Sequence, residues 1–220
     1  MKVHRPSPER CALSSVQAMA VHLPEVAGHP NRAPFTGVLT LVDVPSTKPP
    51  SGARGHRVIL TRAAALAALP SLLGMAVDYA PTWDGHDARR KCGLITHADV
   101  DGARLRVGGY LYAKDFPEVE RQLRQLSAGA MGMSWELADA HVADMNAGVW
   151  SLTRATFTGA AILLREKAAY RDTSFELVPQ RCRTFAAAAL TPIREGAASR
   201  TRTIRKEITW SHKQEKAWAR

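Results

Sequence analysis

Two short stretches carry the residue types that could do chemistry. Trp83-Asp84-Gly85-His86-Asp87 sets a histidine between two acids in a glycine-containing turn, and Gly132-Met133-Ser134-Trp135-Glu136 sets a serine inside a short apolar run. A serine hydroxyl is a weak nucleophile until a base removes its proton, so His86 and Ser134 are the pair to test for covalent catalysis. Forty-eight residues separate them. That chain reads as a few strands and one helix, enough to bring base and nucleophile together across a small sheet.

The elements that must position this pair follow from pattern. Phe35–Val44 is rich in β-branched residues and reads as a strand, followed by a Pro/Ser/Gly-dense loop over Pro45–Gly55 that can arch over one face. His56–Leu60 is a short strand. Thr61 is placed to cap a helix over Arg62–Leu69, where alanines favour helix. Met75–Tyr79 is a strand feeding directly into the His86 turn, and loops held at strand ends are common seats of function. Cys92–His97 and Arg104–Leu111 form a strand pair around Asp101-Gly102, with Gly108-Gly109 marking a bulge or a close backbone approach. Asp115 with Glu118 suggests a capped helix start, and Val119, Leu123 and Leu126 share one side of that helix. Ala130–Leu137, Val149–Phe157 and Gly159–Leu164 complete the strands, and Arg165–Tyr170 reads as a helical turn. The expected fold is mainly β with peripheral helices, a small, mostly antiparallel β-barrel.

Composition bounds the function classes. The 220 residues suit one ordinary domain, and 45% hydrophobic content suits a globular core. No run of eighteen apolar residues occurs, so neither a membrane span nor membrane attachment is expected, and no secretory signal is expected at the start. Three widely spaced cysteines, Cys11, Cys92 and Cys182, make no disulfide framework, which points to a reducing cytoplasm. The net charge is +10, but Arg194–Arg220 holds eight Lys or Arg against three Glu, so half the excess sits in a tail. Such a tail can touch nucleic acid without sequence specificity. The expected organisation is a loosely ordered segment over 1–33 with a short helix available over Ser14–Leu23, a domain over 34–178, and a basic, weakly structured tail over 179–220.

The motifs in their order resemble the prohead, or capsid-maturation, serine proteases of tailed bacteriophages, whose fold is similar to the herpesvirus assembly protease. Leu72–Tyr79 leads to the histidine turn. Gly93–Thr96 and Leu105–Tyr112 look like the two strands after it, Gly132–Glu136 looks like the nucleophile strand, and Thr153–Ala160 looks like the strand that ends the catalytic core. The resemblance covers Phe35 to Tyr170. It implies Ser134 as nucleophile and His86 as general base, no cofactor and no metal. It also implies cleavage of capsid or scaffold protein, and of the chain itself, inside assembling proheads in the bacterial cytoplasm.

One departure stands out. The family orients its histidine with a carboxylate early in the last core strand, and the herpesvirus relatives use a second histidine. Here Ser151 holds roughly that place, with Asp139, His141 and Asp144 close by in sequence. A protease-fold assembly or scaffold partner without catalysis is therefore the alternative. A metal hydrolase built from Asp84, His86, Asp87, Cys92 and His97 has suitable ligand types, but their spacing matches no metal motif.

Overall fold

The computed structural model describes residues 18–21, 23 and 28–178. Among them are nine strands: β1 (Ala18–Ala20), β2 (Ala33–Leu41), β3 (Arg57–Leu60), β4 (Ala76–Tyr79), β5 (Lys91–Asp101), β6 (Arg104–Leu111), β7 (Met131–Val142), β8 (Val149–Leu164) and β9 (Ser174–Leu177). Two helices, α1 (Arg62–Ala68) and α2 (Pro117–Gln125), lie at the periphery, with a 3₁₀ turn over Leu69–Leu72.

Seven strands follow one path, β3-β8-β4-β5-β6-β2-β9, with β1 joining β5 and β7 joining β8. The β-rich core with outer helices matches the expectation. The sheet itself is mixed and forms an open, curled half-barrel rather than a closed antiparallel barrel. Both parallel pairs involve β8, which takes β3 at 149–152 and β4 at 160–162. Connections through α1 and through the β5–β7 segment return the chain in the same direction, as parallel neighbours require. The curl brings β7, at one end, against β2 and β9, without ladder hydrogen bonds between them.

The core lies inside the curl. Phe35, Leu39, Leu60, Leu72, Ile95, Leu105, Leu111, Met133, Phe157 and Ile162 are all fully buried. Close approach is built in by glycine: a Cβ at Gly109 would collide with the Leu94 carbonyl oxygen, opposite the bulge between Ile95 and His97. This is the role the Gly108-Gly109 pair suggests.

Several local expectations are corrected. Thr61 does cap α1, its side chain accepting from the Ala64 N–H, but α2 has no side-chain cap. Asp115 instead accepts a hydrogen bond from Asn31 Nδ2 at 2.7 Å, tying the chain before β2 to the turn before α2. Within the stretch 14–23 expected as a short helix, the described Ala18–Ala20 is a strand running antiparallel to Asp99–His97 of β5, where that edge is left free beyond β4. The two segments 149–157 and 159–164 are one continuous strand, and 165–170 is a run of turns rather than helix. The basic tail lies outside the described residues.

Candidate active site

Strand periodicity decides which side chains meet. In β8, Ala160 and Ile162 face the main core, whereas Ala161 and Leu163 belong to a separate buried cluster with Ala168 on the other face. Val77 and Tyr79 of β4 face the core, so Asp78 between them faces away. Met131 and Met133 of β7 likewise face the core, leaving Ser134 on the opposite side. The registers bring these outward positions into one row, because Asp78 and Ser134 are both partners of Ala161, from opposite edges of β8. Residues in register across neighbouring strands share a face.

The His86 turn hangs over this row and is anchored at several points. Trp83 adopts a positive φ of 55°, its N–H donates to the Ala80 carbonyl, and its carbonyl accepts from Leu164 N–H at 2.8 Å. Its indole Nε1 donates to Gln122 Oε1 of α2 at 3.0 Å, and its ring packs 5.3 Å from that of Tyr79. Tyr79 in turn donates to Glu118 Oε1. The turn is thus tied to β4, to the end of β8 and to α2, which fixes the direction in which His86 leaves it.

His86 Nδ1 points at two carboxylates. Asp78 Oδ1 lies 3.6 Å away and Glu136 Oε1 lies 3.4 Å away. Neither contact meets hydrogen-bond geometry, and Nδ1 is buried without a partner. Asp78 is fully buried, and a lone buried carboxylate would be costly. Its charge is met by Lys91 Nζ at 2.8 Å on Oδ2 and by the Asp87 N–H at 3.3 Å on Oδ1. Glu136 is partly exposed and can lie over β8 because its register partner is Gly159, where a Cβ would come within 2.5 Å of Oε2. The remaining ring nitrogen, Nε2, makes no hydrogen bond among the described residues. The Ser134 hydroxyl also has no partner there, and no hydrogen bond joins the two.

His86, Ser134 and Glu136 line one groove of about 1180 Å³. Lys48–Arg54, from the Pro45–Gly55 arm the sequence suggests, also line it. Ser46 pins the base of that arm through two hydrogen bonds to Val58, and Thr47 and Lys48 donate to the Ala169 carbonyl. Trp150 lines the groove beyond Glu136 and stacks on His56 at 4.4 Å. Gly132 is held small by packing, since a Cβ there would sit 2.6 Å from Thr173 Oγ1.

The candidates for orienting the histidine from the sequence lie elsewhere. Asp139 is exposed, His141 meets Arg154 Nη2, the Asp144 carboxylate accepts from the Asn146 N–H, and Ser151 is registered with Ile59 of β3. Asp78 and Glu136 stand behind the ring instead. Both carried a signal in the sequence. Asp78 is a lone acid between apolar residues of a short strand, and Glu136 is two residues from Ser134 and therefore on its face.

The hydrolase ligand set named from the sequence is not assembled. Asp84 accepts from Thr82, Asp87 pairs with Arg89 and Arg90, and His97 pairs with Asp99 at 3.0 Å. The Asp87 carboxyl is held below the usual range, chiefly by the Arg89 backbone N–H. Burial pushes the Cys92 thiol up to about 12, so it is inert as a nucleophile or ligand at neutral pH. No protein-family model and no curated protein matches this chain.

Proposed function

We propose that the chain is a serine endopeptidase of the prohead-maturation type, on a core related to the herpesvirus assembly protease, that cleaves capsid or scaffold protein and itself. The observation that carries this reading is a single groove lined by both Ser134 and His86, with two carboxylates behind the ring nitrogen that faces away from solvent. In the reaction, His86 Nε2 takes the Ser134 proton as the hydroxyl oxygen attacks the scissile carbonyl. The imidazolium then protonates the leaving amine, and water, deprotonated by His86, releases the acyl group. Asp78 and Glu136 stabilise the imidazolium and hold its Nδ1–H toward themselves, while Lys91 holds the Asp78 carboxylate in place. His86 must move toward Ser134 for the transfer, and hydrogen bonds of this kind commonly tighten only with substrate bound.

The missing hydrogen bond between Ser134 and His86 favours one second reading, a protease-fold assembly partner without catalysis. Co-expression with the capsid protein, followed by intact-mass analysis, separates the two. Cleavage by the wild-type chain that is lost in both Ser134→Ala and His86→Ala, with folding retained, supports the endopeptidase. Cleavage that persists in Ser134→Ala removes the serine as nucleophile, and no cleavage in assembled particles leaves the assembly role. In either case the partners are capsid and scaffold proteins in the host cytoplasm.

A further inference from the structure

The two carboxylates that the peptidase reading sets behind His86 also have the spacing of cation ligands. One ligand atom from each of Asp78, His86 and Glu136 lies within 4.8 Å of the other two. The two distances from Nδ1 are 3.4 and 3.6 Å. A tetrahedral zinc site with metal–ligand distances near 2.0–2.1 Å has ligand–ligand edges of about 3.3–3.4 Å. Nδ1 is buried and has no hydrogen-bond partner, so in the tautomer protonated on Nε2 its lone pair is an unused donor flanked by two carboxylate oxygens. Lys91 occupies Asp78 Oδ2, and Oδ1 accepts only the Asp87 N–H at 3.3 Å, which leaves it a lone pair to bind through one oxygen. The part-exposed sides of His86 and Glu136 leave a fourth position open to the groove.

We propose that Asp78, His86 and Glu136 form a binding site for a divalent transition cation, zinc by ligand chemistry, and that occupancy switches off Ser134. The second half rests on the peptidase reading. An imidazole that gives its Nδ1 lone pair to a cation carries its proton on Nε2, so Nε2 can no longer accept the Ser134 proton. No bond to substrate is involved, and removing the cation restores the base.

Cobalt(II) titration of the full chain, read by visible absorption, tests the site without any substrate. One equivalent should give the intense band of tetrahedral coordination, displaced by Zn²⁺. The band should vanish in His86→Ala and need at least tenfold more cobalt in Glu136→Gln, whose thermal unfolding should stay native-like. His97→Ala, altering the separate His97–Asp99 pair, should leave the titration unchanged. A weak octahedral spectrum, or a band that persists in both His86→Ala and Glu136→Gln, overturns the site. In a second arm, a fluorophosphonate that captures active serines should label the wild-type chain, and saturating Zn²⁺ should suppress labelling until a chelator is added. Labelling indifferent to Zn²⁺ overturns the switch. A chain never labelled overturns the peptidase reading and the switch with it, while the absorption result still decides the site.

Discussion

Asp78→Asn is the most informative single change, because its neighbours dictate how the amide must sit. Lys91 Nζ and the Asp87 N–H are donors only, and they contact Oδ2 and Oδ1 at 2.8 and 3.3 Å. One amide oxygen cannot serve both. With the oxygen turned to the charged lysine, the NH₂ faces the Asp87 N–H and His86 Nδ1. Two donors then oppose each other, and an NH₂ aimed at Nδ1 fixes the proton on Nε2, the wrong tautomer for a base. In the Ser-His-Asp template such a change costs about 10⁴ in kcat. Glu136 Oε1, 3.4 Å from Nδ1, remains a carboxylate toward which an Nδ1–H can turn, so the expected loss is smaller, roughly 10²–10³ by the same template. The unpaired buried donor costs about 1–3 kcal/mol of stability, a fall in Tm of some 2–12 °C at 2–4 °C per kcal/mol. The assay is the rate of Ser134 capture by a fluorophosphonate, followed by intact mass, beside thermal unfolding. Lys91→Met in the Asp78→Asn background frees the oxygen to turn toward Asp87 and His86, and should recover part of the lost rate. A folded Asp78→Asn chain captured at the wild-type rate, or a double variant no faster than the single, refutes the reasoning.

Three further outcomes follow from the geometry. Gly159→Ala sets a methyl 2.5 Å from Glu136 Oε2, the far end of a flexible side chain, so unfolding should barely change while Ser134 capture slows up to about tenfold. Gly109→Ala drives a Cβ into the Leu94 carbonyl, which is backbone and cannot swing away; a loss of roughly 2–4 kcal/mol, read by urea unfolding, is expected, and a wild-type midpoint would contradict the close approach. Burial raises Cys92 from 9.0 and Tyr170 from 10.0, each to about 12. Both groups lose protons earlier in the unfolded chain, so stability present below pH 9 should fall as pH climbs toward 12. The slope is at most about 1.4 kcal/mol per pH unit per group, measurable as Tm at pH 8, 9, 10 and 11.

What was legible in the sequence was local. Period-two alternation located the strand over Arg104–Leu111, the Thr61 cap marked the start of α1, and Gly108-Gly109 announced a close approach that Leu94 confirms. His86 and Ser134 were readable as chemistry, and they do line one groove. The acids behind the ring were not assigned, because their placement depends on β4 docking parallel to β8 and on β7 docking from the other side. Long-range register of that kind leaves no trace in spacing. Asp115 misled for a related reason: a capping residue can be claimed by a distant partner, here Asn31, and α2 then starts on proline alone. The strands β1 and β9 are short segments whose pairing comes wholly from the edges that receive them.

The row across β8 also sets a timetable. Asp78 and the serine strand have no ladder with each other; what joins them is the 159–164 stretch of β8, which pairs with both. During synthesis, β4 and the histidine turn emerge long before that stretch, and β7 emerges just ahead of it. Until the last turn of chain after β8 clears the ribosome, Asp78 and His86 belong to one piece and Ser134 to another. The proposed hydrolytic centre, assembled this way, is silent for most of translation and arrives together with the final closure of the core. Loop-closure entropy makes such a distant pairing slow. That delay separates making the chain from arming the proposed centre.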